Sequence, residues 1–208
     1  MSHASILIAI DLPKGERFQK ANLEKMIAHQ MEPFDENGGW FSDGSRWDWW
    51  VIGGRYSGRL NGKDLAKRKD LDLAKLTAEK SKELSKQWDN AHKEAKKKND
   101  PVWLSLIYGI EEGMTKEQYI ASPFFFYAFL RNRTWHENER MGWFGTSAKT
   151  ECELSREEEL KGKCITEKNG AKIINWRSDD ATWAAKFWPR FIENLDPETI
   201  LAVVDYHV

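Results

Sequence analysis

The chain has 208 residues, 40% hydrophobic and 31% charged, with 32 basic residues against 33 acidic ones for a net charge of −1. That length makes one domain, or one domain with an insertion, and it can bury a substantial core. The balance of charge excludes a global field that favours nucleic acid or membrane, while leaving local patches open.

The first apolar stretch, "SILIAIDL" at 5–12, is rich in β-branched residues and ends at Pro13, which predicts a buried strand. Its apolar run falls far short of the roughly 20 residues that span a bilayer, and no signal peptide is visible, so a cytoplasmic protein with no membrane partner is expected. "FQKANLEKMIAHQMEPF" at 18–34 places Phe18, Leu23, Met26, Ile27 and Met31 near helical spacing and stops at Pro33. A loop rich in Gly, Asp and Ser follows. "RWDWWVIGG" at 46–54 reads as a strand, and it concentrates the residue that stands out in this composition, tryptophan, at 11 in the chain. Alternation predicts Arg46, Asp48, Trp50 and Ile52 on one face and Trp47, Trp49 and Val51 on the other. Gly53-Gly54 would bend the strand or admit a close backbone, and "RYSGRLNG" continues it as a short hairpin.

Residues 64–100 are dense in Lys, Asp and Glu with a thin stripe of Leu73, Leu76, Leu84 and Trp88, which predicts an inserted helix or helical pair. Its end, "KEAKKKND", reads as a solubilising terminus with lysines at the negative end of the dipole. "PVWLSLIYGI" at 101–110 fits a strand or a short buried helix, and "TKEQYIAS" a small helix capped by Thr115. "PFFFYAFLRNRTWHE" at 123–137 is the best strand signal, with "ENERMGWFG" at 137–145 turning back from it. The polar stretch 147–172 suggests a short helix, a loop and a hairpin around "NGAKIINW"; its Cys152 and Cys164 form no CxxC and are too few for a disulfide framework, which fits a reducing compartment. "SDDATWAAKFWPRFIENLDP" at 178–197 is an amphipathic helix capped by Ser178, with Asp179 and Asp180 at its positive end. Trp183, Phe187, Phe191 and Leu195 line one face, and Pro189 is expected to kink it. "TILAVVDYHV" closes the chain as a buried strand. This order predicts an α+β fold: a mainly antiparallel sheet with helices on one face, in a ferredoxin-like arrangement whose first and last strands pair. A single domain, 1–208, carries the helical insertion at about 64–100.

Three blocks stand out together: "WDWWVIGGRYSG" at 47–58, "WHENERMGWFG" at 135–145 and "VVDYHV" at 203–208. In order and spacing they resemble a protein family encoded by bacteriophages and their hosts, with blocks W-D-W-[YW]-x-[IL]-G-G-R-[WY]-x-G, W-H-E-x-x-x-M-G-W-[WF]-G and a terminal D-x-H-[IV]. The resemblance implies a phage accessory gene, of a kind that often inhibits host defence, and implies no activity, fold or cofactor. One departure is "NRT" at 132–134, where the family carries an Asp-Gly turn.

The residues themselves offer three candidate sites. Trp47, Trp49, Trp50, Arg55, Tyr56 and Arg59, joined by Trp135, Arg140 and Trp143, would form an aromatic and cationic wall. Flat rings stack on bases, guanidinium pairs with phosphate, and Gly53-Gly54 would let backbone N–H groups approach an anion. Alternatively the tryptophans are core and the arginines pair with Asp48 and nearby acids. His136, at a strand end, would serve as a general base or be a hydrogen-bonded structural histidine, while Glu137 points to the other face. Asp205 and His207 share one strand face, and pairing of the terminal strands would bring His3 beside them; three such side chains could hold a metal. No Walker loop, GxSxG, HExxH or zinc ribbon is present, and no cofactor or metal is expected. Binding of a small anionic ligand such as a nucleotide signal, or of a host defence protein, is the preferred reading. A hydrolase or nuclease using His136 or Asp205 and His207 is the alternative. Single-stranded nucleic-acid binding is a third, and needs Lys93–Lys98 and the arginines to share a face.

Overall fold

The elements, in chain order, are β1 (His3–Ile10), α1 (Lys20–Met31), β2 (Trp49–Ile52), β3 (Leu65–Lys67), α2 (Leu73–Lys98), α3 (Lys116–Ile120), β4 (Ala128–Arg131), β5 (Thr134–Asn138), β6 (Lys163–Lys168), β7 (Ala171–Trp176), α4 (Asp180–Phe191) and β8 (Ile200–His207). The computed structural model describes residues 3–13, 19–37, 46–98, 104, 110, 112–121, 123–138, 163–176 and 180–207. They fall into two compact units, Met1–Leu71 with Phe125–Val208, and Asp72–Phe124.

The first unit is an α+β structure on one mixed sheet of eight strands, in the order β2-β8-β1-β4-β5-β7-β6, with β3 also bonded to β8. The two continuous apolar runs, β1 and β8, lie side by side and antiparallel, His3 opposite His207 and Ile10 opposite Ile200. Runs apolar at every position belong where both sheet faces are covered, and helices do cover both. α1 sends Leu23, Ile27 and Met31, spaced by four, onto the face of Ile6, Ile8 and Ile10. Each such burial contributes about 1.5–3 kcal/mol. α4 lies on the opposite face, where Phe191 stacks on Phe129 at 4.8 Å and Trp183 and Phe187 extend the aromatic layer.

The arrangement therefore differs from the expected one with helices on one face. A split β-α-β unit keeps a strand between its two parallel partners, whereas β1 and β4 bond directly and in parallel. A second parallel pair joins β5 to β7; the remaining pairs are antiparallel. The cause lies in 123–137, expected as one strand. It breaks into β4 and β5 at Asn132-Arg133, both left-handed with φ of 49° and 58°. Two left-handed residues make the type I′ turn whose twist suits a hairpin, so "NRT" turns without glycine. Beyond Asn138, the hairpin expected at 137–145 lies outside the described residues, as do the Ser178 cap, Asp179 and most of 101–110.

The hairpin expected at "NGAKIINW" is present: Asn169-Gly170, φ 50° and 77°, joins β6 to β7. Among the described residues no atom beyond its chain neighbours lies within 4 Å of where a Cβ on Gly170 would sit, so its requirement is conformational. Gly170→Ala is expected to cost about 1 kcal/mol, read as a lower urea midpoint at constant m. An unchanged midpoint would show that the turn tolerates a side chain.

The second unit holds α2 and α3. The helix begins at Leu73 rather than 64, because 65–67 are drawn into the sheet as β3. Leu76 and Ala91 are buried, Trp88 packs on Tyr119 at 5.4 Å, and Ser81 Oγ donates to the Ile120 carbonyl at 2.9 Å. Thr115 caps α3 as expected, through a capping box with Gln118. Lys93 and Lys96 to Lys98 are exposed. Among the described residues no helix is long and apolar enough to cross a membrane.

Candidate functional site

The strand register sets the chemistry. β2, β8 and β1 are adjacent, so Trp49, His207 and His3 form one row across the sheet, and Val51, Asp205 and Ser5 the next row on the same face. The first and third motif blocks thus become neighbouring strands. His3 Nδ1 bonds to Asp205 Oδ1 at 2.9 Å, and His207 Nδ1 to Asp48 Oδ1 at 2.6 Å. The two imidazoles meet edge to face with centroids 5.4 Å apart, and the Trp49 indole stands edge-on to His3 at 6.0 Å.

Asp205 is 1% exposed. A buried carboxylate is tolerable only when its oxygens are satisfied, and the second oxygen accepts the Arg55 backbone N–H at 2.9 Å. That contact explains the second glycine of "GGR"; the first, Gly53 with φ 76°, lies against the Asp64 carboxylate. Gly54 is left-handed, φ 54°, and a Cβ on it would collide with the Asp205 carboxylate. The turn therefore serves an internal anion. Tyr56 donates its hydroxyl to the His3 carbonyl at 2.9 Å, and burial pushes its phenol up to about 12, which keeps it a donor at neutral pH.

The tryptophan wall divides. Trp135 is wholly buried, edge-on to Tyr206 and tilted on Phe34, with its Nε1 donating to Glu137 Oε2 at 3.1 Å. Trp47 packs against the same core and donates to the Met31 carbonyl at 3.0 Å. Both are structural, contrary to the binding role expected of them. Arg140 and Trp143 lie outside the described residues. The alternation predicted from 46 also fails at its start: the ladder begins at Trp49, and Arg46 is drawn to Glu137 instead. Trp49 is 49% exposed beside the imidazoles. Arg59 sits over the Tyr56 ring at 4.5 Å; Arg55 is exposed, and its guanidinium has no ion-pair partner among the described residues.

Trp50 has a different setting. Partly packed on the core, it lines a cavity of about 530 Å³ together with Val51, Ile52, Leu65, Lys20, Glu24, Lys63 and Asp64. The Asp64 carboxylate is occupied by the Gly58 N–H at 2.7 Å and the Ser57 hydroxyl at 2.9 Å. Lys20 and Lys63 are exposed and have no ion-pair partner among the described residues. Neither lysine carried a signal in the sequence; only the fold brings residues 20 and 63 to the same indole.

His136 is not placed for acid–base work. It lies between Phe129, Phe191 and Trp176, and its Nδ1 accepts the Trp176 indole N–H at 3.1 Å. Burial, with help from Arg190, holds it down at about 4. Glu137 points to the opposite face, as alternation required, and binds Arg46. His3, Asp205 and His207 do meet as the pairing of terminal strands predicted. Yet among the described residues no group of three or more His, Cys, Asp or Glu side chains is arranged to hold a metal ion. Compared with known proteins, the chain matches no family model, no curated protein and no solved structure.

Proposed function

We propose that the protein binds a small anionic ligand with a flat ring, a nucleotide being the fitting class, in the cavity on Trp50. One observation carries this reading: the Trp50 indole, Ile52 and Leu65 line a hollow of about 530 Å³ together with two lysines that have no ion pair among the described residues. Ligand pockets commonly measure about 300–1,000 Å³ and pair apolar walls with a few polar groups. A base stacked on an aromatic ring gains roughly 1–3 kcal/mol, and lysine supplies a point charge for phosphate. The cationic partners of this cleft are lysines, not the arginines expected. In keeping with the motif resemblance, we assign the protein to the accessory proteins of phages, acting in the host cytoplasm by holding a nucleotide signal away from host defence.

Calorimetry with mono-, di- and cyclic nucleotides tests the site. Trp50→Leu and the double variant Lys20→Glu/Lys63→Glu are each expected to weaken binding at least about tenfold, the value of roughly 1.4 kcal/mol. The lysine contribution should shrink with added salt. Affinity unchanged in both variants would reject the cavity, and no heat with any nucleotide would reject the ligand class.

A host protein as partner has its own support. Trp49 and Val51 lie exposed on the same face of the edge strand β2, and an open edge bearing apolar side chains suits docking of another chain. The nucleic-acid reading has less: Lys93–Lys98 belong to a different compact unit from Arg55 and Arg59.

A further inference from the structure

We propose that His3 and Asp205 form an acid–base dyad that hydrolyses a phosphodiester on the face where β2, β8 and β1 meet. This activity goes beyond ligand binding in the Trp50 cavity and does not depend on it. An imidazole works as a base when one ring nitrogen is fixed by a carboxylate and the other is open. His3 has its Nδ1 on Asp205, while its Nε2 has no hydrogen-bond partner among the described residues and the side chain remains 17% exposed. The carboxylate is fixed in turn. Asp205 has a side chain only 2% exposed, and its oxygens are held by His3 and by the Arg55 N–H. The backbone of His3 is pinned by the ladder to His207 and by the Tyr56 hydroxyl. This is the logic by which a buried carboxylate selects one tautomer and aims the far nitrogen outward.

The surroundings point to a phosphodiester. His207, held by Asp48, stands beside His3, and its Nε2 is buried with no hydrogen-bond partner. With Nδ1 donating to Asp48, the ring offers an Nε2–H to a phosphoryl oxygen only in its imidazolium form. The Arg55 guanidinium, on the loop that crosses this face, suits the remaining phosphate charge. The exposed Trp49 indole offers a platform for a flanking base. Among the described residues no side-chain nucleophile is placed to intervene, because Ser5 Oγ is fully buried and makes no hydrogen bond to His3. Water is the nucleophile. Its oxygen forms the bond to phosphorus while His3 Nε2 takes its proton. The bond from phosphorus to the leaving oxygen breaks, that oxygen keeps the electron pair, and His3 returns the proton to it. The products are a phosphomonoester and an alcohol, and His3 ends as it began.

Bis(4-nitrophenyl) phosphate and a dinucleotide, followed by absorbance and chromatography, test the step. The wild type is expected to release nitrophenolate and mononucleotide. His3→Gln should lower kcat by roughly 10²–10⁴-fold with its melting temperature unchanged. Asp205→Asn, a change at a positioning residue, should lower kcat at unchanged KM, with circular dichroism confirming the fold. No hydrolysis of either probe by the wild type, or a wild-type rate in His3→Gln, would overturn the proposal. Calorimetry with nucleotides reports separately on the Trp50 cavity, so the failure of one site leaves the other standing.

Discussion

Arg46→Met is expected to destabilise the fold by about 3–5 kcal/mol, the largest effect of any single change considered. Arg46 grips Glu137 through two nitrogens, Nε to Oε2 at 2.7 Å and Nη2 to Oε1 at 2.8 Å, across 91 residues of sequence. Both side chains are nearly buried, 14% and 12% exposed. Such a pair adds little net stability over apolar residues of the same shape, because desolvating two charges offsets their attraction. Removing one partner is different: Glu137 would keep its charge in the core with the Trp135 N–H, at 3.1 Å, as its one hydrogen bond among the described residues. The double variant Arg46→Met/Glu137→Met removes both charges and should recover much of the loss, short of about 1 kcal/mol for the orphaned indole donor. Urea unfolding followed by tryptophan fluorescence measures all three proteins. A single variant within 1 kcal/mol of wild type, or a double variant no better than the single, would mean that the pair is wetter and weaker than its geometry states.

That ion pair also marks where reading the sequence ran out. Local patterns were legible wherever local physics decided the outcome. The apolar runs at 5–12 and 199–208 became the central strands, Thr115 capped its helix, and Asn169-Gly170 turned its hairpin. The meeting of His3 with His207 followed from pairing the terminal strands, and it holds residue for residue. Long-range partners were not legible. Nothing near Arg46 announces a carboxylate at 137, so the alternation drawn through 46–52 placed Trp47 on the wrong footing. Gly53-Gly54 read as an anion cradle because glycine permits close approach. What approaches Gly53 is Asp64, and what approaches Gly54 is Asp205, on the chain's own last strand. The break at Asn132-Arg133 was hidden for a related reason: left-handed arginine has no local preference to betray it, and only the pairing of β4 with β5 holds it there.

His136 shows the same effect in its electrostatics, with a result that pH titration will reveal. From its neighbours in sequence it looks like a base at a strand end, yet α4 closes over it with Phe191, and Trp176 donates to its Nδ1. Its pKa falls from 6.5 to about 4, chiefly through burial and secondarily through Arg190. The unfolded chain therefore binds this proton near pH 6.5, and the folded chain only near pH 4. Between those values the unfolded state holds more protons, so stability is complete above about pH 6.5 and falls as the pH drops towards 4. The full loss is on the order of 3 kcal/mol. Glu198, gripped by Lys67 and Lys69 and held at about 2, loses its share only below its ordinary range near 4.5, a separate and lower window. In His136→Asn the amide oxygen can still accept the Trp176 N–H, and the titrating ring is gone. That variant should lose the slope between pH 6.5 and 4 while keeping the steeper decline below it. Urea midpoints taken every half unit for both proteins decide the matter, and parallel curves across the upper window would place the proton elsewhere.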